Sequence, residues 1–352
     1  MKSLADYKDS RDNNFNLIRF VAAFLVLVSH SFPLATGRGD SEPLYNLIGI
    51  GFGHIAVDIF FITSGFLITG SLLRSHSVKK YIVARVLRIY PAIFIAVLLT
   101  VLVLGPSLTS VSLSEYFNDQ TVIYFFKNTS LIFGVEFQLP GVFENVPWNN
   151  AVNGSLWTLP YEVKMYAYLL GIFVLTNVLL KRVSVRTLRN FSFEKTIALI
   201  ALSSMLFQFY TMAQDKEHTD FLRLFSFFFI GSFFYCYADK IPMKNAYFTI
   251  FSLLLIGTAT YQYLFIEVYS LLLAYMVFYI AYIPKGRIRR FNTFGDYSYG
   301  VYIYAFPTQQ LVAYSFVNIS VEKMILYSSI LTLTLAAVSW HLFEKKALSY
   351  KF

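Results

Sequence analysis

The chain of 352 residues is 57% hydrophobic and 14% charged, against roughly 45–50% and about 25% in soluble domains. That apolar excess excludes a water-soluble enzyme, a disordered chain and a fibrous repeat. The lone cysteine, Cys236, excludes an intramolecular disulfide, a CxxC redox pair and a cysteine-rich zinc site. In a membrane chain the net charge of +9 is informative through its placement, and it is no sign of nucleic-acid binding.

Residues 1–16 mix both signs of charge and carry no signal-peptide pattern, so they read as a cytoplasmic lead into a retained helix. Apolar stretches near the roughly 20 residues that cross a bilayer as helix then recur. They lie at 17–36, 47–73, 89–107, 161–180, 196–213, 221–238, 246–264, 266–284, 294–316 and 323–343, ten in all. The expected fold is all-α, a polytopic integral membrane protein with one domain over 17–345 and a tail at 346–352. Span 47–73 exceeds what a bilayer needs and is expected to tilt or to begin outside it. With the N-terminus inside, 23 of the 29 Lys and Arg fall on the cytoplasmic side, so both termini are expected there. A separate crossing by 121–135 would move the basic segment KRVSVRTLRN outside. Residues 108–160 therefore read as a long outer loop with 121–135 interfacial or re-entrant, and a loop of that length is more often functional than idle.

Ionisable side chains inside such spans need a reason. Arg19 and His30 are eleven residues apart, so they share one stripe of the first helix, separated by a rise of about 16 Å. Arg19 alone also fits snorkelling to the interface, and His30 a hydrogen bond within the bundle. Arg85 and Arg88 share a helix face. They fit either positive-inside anchoring or, with Arg19, a forked anion site. Asp58 in GHIAVDIFFITSGFLITG needs a partner, and His30 is expected at comparable depth. Ser64 and Gly65 read first as close helix packing. Trp157, Tyr161 and Glu162 open the fourth span as a candidate substrate rim or as an interfacial aromatic belt. Asp296 reads as a helix cap, and Pro307 with Gln309 and Gln310 as a break facing protein or water. His54, His76, His218 and His341 receive no role. No phosphate loop, nucleophile elbow or HExxH pair is present, and neither a metal nor a nucleic-acid contact is expected.

The ordered set Arg19-x10-His30, GHIAVDIFFITSGFLI, Arg85-x-x-Arg88 before IYP, SLWTLPYE and GDYSYGVYIYAFP resembles the acyltransferase-3 family of bacterial membrane acyltransferases, which modify O-antigens, exopolysaccharides and related glycans. The resemblance runs from about residue 15 to 345. It implies that His30 is the catalytic residue, that Arg19 is required, and that Arg85 and Arg88 contact the acyl donor, acyl-CoA, on the cytoplasmic side. It also implies residence in the bacterial inner membrane. Two positions depart from the family pattern. Ala305 stands where many relatives have histidine, and Lys345 follows Glu344 where many have proline.

The expected reaction is transfer of an acyl group, acetyl before succinyl, from CoA to a hydroxyl of a surface glycan or lipid-linked oligosaccharide. Neutral His30 would be the general base, with Asp58 orienting it; direct transfer and an acyl-histidine are both open. Trp157, Tyr161 and Glu162 would receive the sugar. The alternative from another class is a transporter or flippase of a lipid-linked sugar. It lacks support from paired broken helices or an internal repeat.

Overall fold

A chain in hydrocarbon satisfies its backbone groups by forming helices or closing a barrel, and this one forms helices. The computed structural model describes residues 2–75, 77–148, 150–179, 192–214 and 219–350, and no β-strand occurs among them. His76, His218, Lys216 and the segment KRVSVRTLRN lie outside the described residues. The helices are α1 (Phe15–Thr36), α2 (Pro43–Ile48), α3 (Phe52–Ser75), α4 (Val78–Leu108), α5 (Asp119–Ser130), α6 (Leu159–Val174), α7 (Phe193–Ala213), α8 (Asp220–Cys236), α9 (Asn245–Thr258), α10 (Gln262–Tyr282), α11 (Ser298–Ser315) and α12 (Val321–Ser349). Six described helices (α1, α3, α4, α7, α10 and α12) are long and apolar enough to cross a membrane. The other four predicted spans coincide with α6, α8, α9 and α11, which are shorter or more polar.

The overlong span 47–73 resolves into two helices. Gly49 takes a left-handed conformation with φ 78°, ends α2, and lets the chain turn before α3 starts at Phe52. The span at 89–107 begins earlier than expected. Ser77 caps α4 by accepting from Lys80 N–H, so Arg85 and Arg88 sit in its third turn. The break expected at 264–266 falls at 259–261, between α9 and α10.

Within 121–135 the helical part is α5, capped by Asn118 and ended by Leu131 at φ 59°. Its 12 residues span about 18 Å, too short to cross. Tyr124 and Asn128 face inward, whereas Phe126 and, just beyond the helix, Ile132 and Phe133 are exposed. One side of α5 thus packs on the protein and the other carries exposed apolar side chains.

Pro307 does not break α11. A proline leaves the carbonyl four residues earlier without its helical donor, and here Asn153 Nδ2 donates to that carbonyl, Ile303 O, at 2.9 Å. Gln309 and Gln310 are fully buried. Gln309 Nε2 donates to Leu27 O and Ser31 Oγ at 2.7 Å, and Gln310 Nε2 donates to Trp148 O and Ala151 O at 2.7 and 2.6 Å. These amides bind α11 to α1 on one side and to the end of the long loop on the other. α11 is thus buried nearly all round and forms the middle of the bundle.

The tightest crossing joins α3 and α8. A Cβ at Gly65 would lie 1.9 Å from Phe228 O, and one at Gly231 would lie 2.1 Å from Ile62 O. Small residues let the two backbones touch. Gly65→Val or Gly231→Val is expected to cost about 3 kcal/mol or more, at the upper end of overpacking. Gly171, whose Cβ would meet nothing within 4 Å, is the control; its change to Ala is expected to be neutral or stabilising by up to about 1 kcal/mol. Thermal stability of the detergent-solubilised protein distinguishes the two cases.

Candidate active site

Arg19 stands in the second turn of α1, and Arg85 and Arg88 in the third turn of α4. Arg19 Nη1 and Arg88 Nη2 donate to the same oxygen, Asp296 Oδ2, at 3.1 and 2.7 Å. Ser298 Oγ donates to the other oxygen at 2.5 Å. Asp296 is therefore an ion-pair centre and not the expected cap: the N-cap residue of α11 is Tyr297, with no side-chain cap. One carboxylate thus bridges two guanidiniums, and the carboxylates of Glu162 and Glu344 lie close enough to act on Arg88 as well. Arg85 has no carboxylate partner among the described residues. Its head lies near the rings of Tyr81 and Tyr166, 5.9 and 5.8 Å from their centroids, Nη2 makes a long 3.4 Å contact with Ser71 Oγ, and Nε is buried without an acceptor.

All three arginines line one cavity of about 300 Å³ between α1, α3, α4, α6, α11 and α12. Glu162 lines it too and accepts a hydrogen bond from Tyr166 Oη, which is 3.0 Å from Ser64 Oγ. Ser64 and Gly65, expected to share a packing role, are divided: Gly65 packs on α8 and Ser64 faces the cavity. From α12, Trp340 and Leu348 contribute. Between them, Glu344 is buried and accepts from Ser339 Oγ at 2.9 Å. Lys345 N–H closes the wide turn Trp340–Glu344 by donating to Trp340 O, a bond that proline at this position lacks. Val57, Phe60, Thr158 and Tyr302 line the cavity as well.

Arg19 and His30 both face α11, as their shared stripe implied. Arg19 meets Asp296 just before the helix, and the His30 ring meets the Phe306 ring edge-on, with centroids 5.4 Å apart. His30 is partly exposed, and its Nδ1 is buried without a partner. His30 does not line the arginine cavity. Tyr302 does, and Phe306, the ring that the imidazole meets, follows it one turn along α11, a rise of about 6 Å.

The expected pairing of Asp58 with His30 is not what the structure contains. Asp58 Oδ1 accepts from Arg223 Nη1 at 2.5 Å, and Oδ2 accepts from Tyr269 Oη at 3.0 Å. The register of the antiparallel helices explains the difference. Gly53 packs on Ser29, its Cβ position 2.9 Å from Ser29 Oγ. Asp58 therefore lies five residues further along α3 and about 9 Å nearer the middle than His30, turned towards α8 and α10. The candidate rim is likewise divided. Glu162 lies in the cavity, whereas Trp157 and Tyr161 pack edge-to-face at 5.9 Å outside it, with Phe221 6.3 Å from Tyr161. Arg223 and Tyr166 escaped the sequence reading as site residues. The available signal was Arg223, an arginine inside the apolar run FLRLFSFFF.

Helices of membrane-crossing length packed around a buried cavity lined by three arginines are those of a multi-pass membrane protein. The acyltransferase-3 family model, described as an acyltransferase domain, matches residues 12–344, and the chain belongs to that family: it is a membrane acyltransferase. An O-acetyl transferase of Shigella phage Sf6 is 32% identical over 96% of this chain and 97% of its own length. Nodulation protein 10 of Rhizobium leguminosarum bv. viciae is 32% identical over 46% of this chain and 44% of its own. No solved structure is significantly similar.

Removing the Asp296 carboxylate leaves two buried guanidiniums facing each other. Asp296→Ala is expected to destabilise the protein by about 2–4 kcal/mol, less than a fully buried pair because these side chains keep 13–22% exposure. Thermal unfolding in detergent reads the loss, and polyphosphate added to the variant is expected to restore part of it.

Proposed function

We propose that the protein moves an acyl group, acetyl in the first instance, from cytoplasmic acyl-CoA to a hydroxyl of a cell-surface glycan such as O-antigen or exopolysaccharide. The proposal includes ten membrane crossings with both termini in the cytoplasm of a bacterial inner membrane. The observation that carries it is Arg85: a guanidinium with no carboxylate partner among the described residues, aimed into a cavity whose two other arginines share one carboxylate. Phosphates suit such a fork because planar guanidinium donors match their oxygens two at a time.

In this reading Arg85, Arg88 and Arg19 take the phosphates of CoA at the inner end. The pantetheine arm runs through the cavity towards Tyr302. The thioester then needs to cover the remaining turn of α11 to reach His30. His30 takes the proton from the acceptor hydroxyl as that oxygen attacks the acyl carbon, and CoA leaves as its thiol. Partial exposure gives the imidazole access from the outer side. Asp58 takes no part as an orienting carboxylate here, because Arg223 and Tyr269 occupy both its oxygens. Trp157 and Tyr161, outside the cavity, suit stacking against a sugar ring. The phage relative's description supports acetyl transfer to oxygen.

His30→Ala is expected to abolish acetylation of surface glycan while the protein still inserts and accumulates; mass analysis of the glycan reads the outcome, and retained acetyl groups would remove His30 from the chemistry. Arg85→Gln breaks no ion pair, so it is expected to preserve stability and weaken acetyl-CoA binding by about 10- to 100-fold, the worth of a charge-assisted contact. Calorimetric titration measures it, and unchanged affinity would place the donor elsewhere.

A further inference from the structure

The wall between the arginine cavity and His30 has a defined construction. Thr158 Oγ1 and Tyr302 Oη are 2.5 Å apart and both residues are nearly fully buried. The Phe60 ring packs edge-on against Tyr302 at 5.7 Å. Beyond the wall, Phe306 separates Tyr302 from the imidazole and leaves no slack, since a Cβ at Gly154 would lie 2.6 Å from Phe306 Cε2. Thr158 belongs to the end of the outer loop, the same segment that Gln310 and Asn153 fasten to α11. The hydrogen bond that closes the donor path is thus carried by the element that also bears Trp157 on the acceptor side.

Given the donor and acceptor placement proposed above, we propose that Tyr302 and Thr158 are specificity residues that decide whether the acyl group goes to glycan or to water. With their hydrogen bond made, the thioester is held one turn short of His30 and out of reach of water entering from the outer side. Movement of the 150–158 segment, as a sugar seats against it, parts the pair and admits the thioester. In either outcome the thioester C–S bond breaks and a C–O bond forms. The proton of the attacking hydroxyl or water passes through His30 to sulfur, giving CoA thiol with an ester or a free acid. Holding a reactive group away from water suppresses such side hydrolysis.

Tyr302→Phe and Thr158→Val each remove the hydrogen bond while nearly preserving volume. Loss of one neutral hydrogen bond multiplies the open population by about two- to tenfold. The experiment uses the full-length protein in detergent with acetyl-CoA and no glycan, following free CoA with a thiol reagent and donor affinity by titration. Both variants are expected to hydrolyse acetyl-CoA about two- to tenfold faster than wild type when saturated with donor. Adding His30→Ala to either is expected to return the rate to background. Unchanged or slower hydrolysis in both variants, with donor still bound, would overturn the role of the pair and leave the donor site standing. Increased hydrolysis that persists without His30 would overturn it as well, since the leak would then bypass the wall. Failure of wild type to bind acetyl-CoA would remove the donor site and the pair's role together.

Discussion

Two guanidiniums sharing one carboxylate hold the centre of this molecule together. Arg19 belongs to α1, Arg88 to α4, and Asp296 immediately precedes α11, so one oxygen atom sets the spacing of three helices. Charges of this kind are costly away from water, and the arrangement sets three guanidiniums around a cavity that Asp296 and Glu162 also line. The same geometry explains why α11 tolerates so many polar residues. It is surrounded by protein, and its glutamine Nε2 groups and the Thr308 hydroxyl find partners on α1, the long loop and α12. The Asn153 donor at Ile303 O even supplies the hydrogen bond that Pro307 removes.

The second constraint is the close approach of α3 to α8 at Gly65 and Gly231, which brings Arg223 to Asp58. This ion pair lies apart from the arginine cavity and is closed on itself by Tyr269. α3 therefore carries two polar systems on different faces: Ser64 towards the cavity, Asp58 towards α8 and α10. A single helix can keep them separate because its side chains rotate by about 100° per residue.

Much of this was legible before any coordinates. Helix positions follow from apolar run length, and the shared stripe of Arg19 and His30 follows from the helical repeat; both face α11. The family follows from five motifs in order. What periodicity cannot supply is the vertical register between helices. Asp58 and His30 looked level, but the contact of Gly53 with Ser29 sets them about 9 Å apart. Nor does local pattern show which carboxylate an arginine meets when more than 200 residues separate them, as with Arg88 and Asp296. The Tyr302–Thr158 wall was invisible for the same reason.

The central claim is spatial: donor phosphates at the arginines, thioester directed along α11 towards the imidazole. Cryo-electron microscopy of the detergent-purified protein with a non-hydrolysable acetyl-CoA analogue tests it most directly. The account predicts phosphate density against Arg85 and Arg88, with the acyl end against Tyr302 on the path to His30. Density for the nucleotide on the opposite side of the membrane, or an arginine cavity filled by lipid with the analogue bound elsewhere, would contradict it.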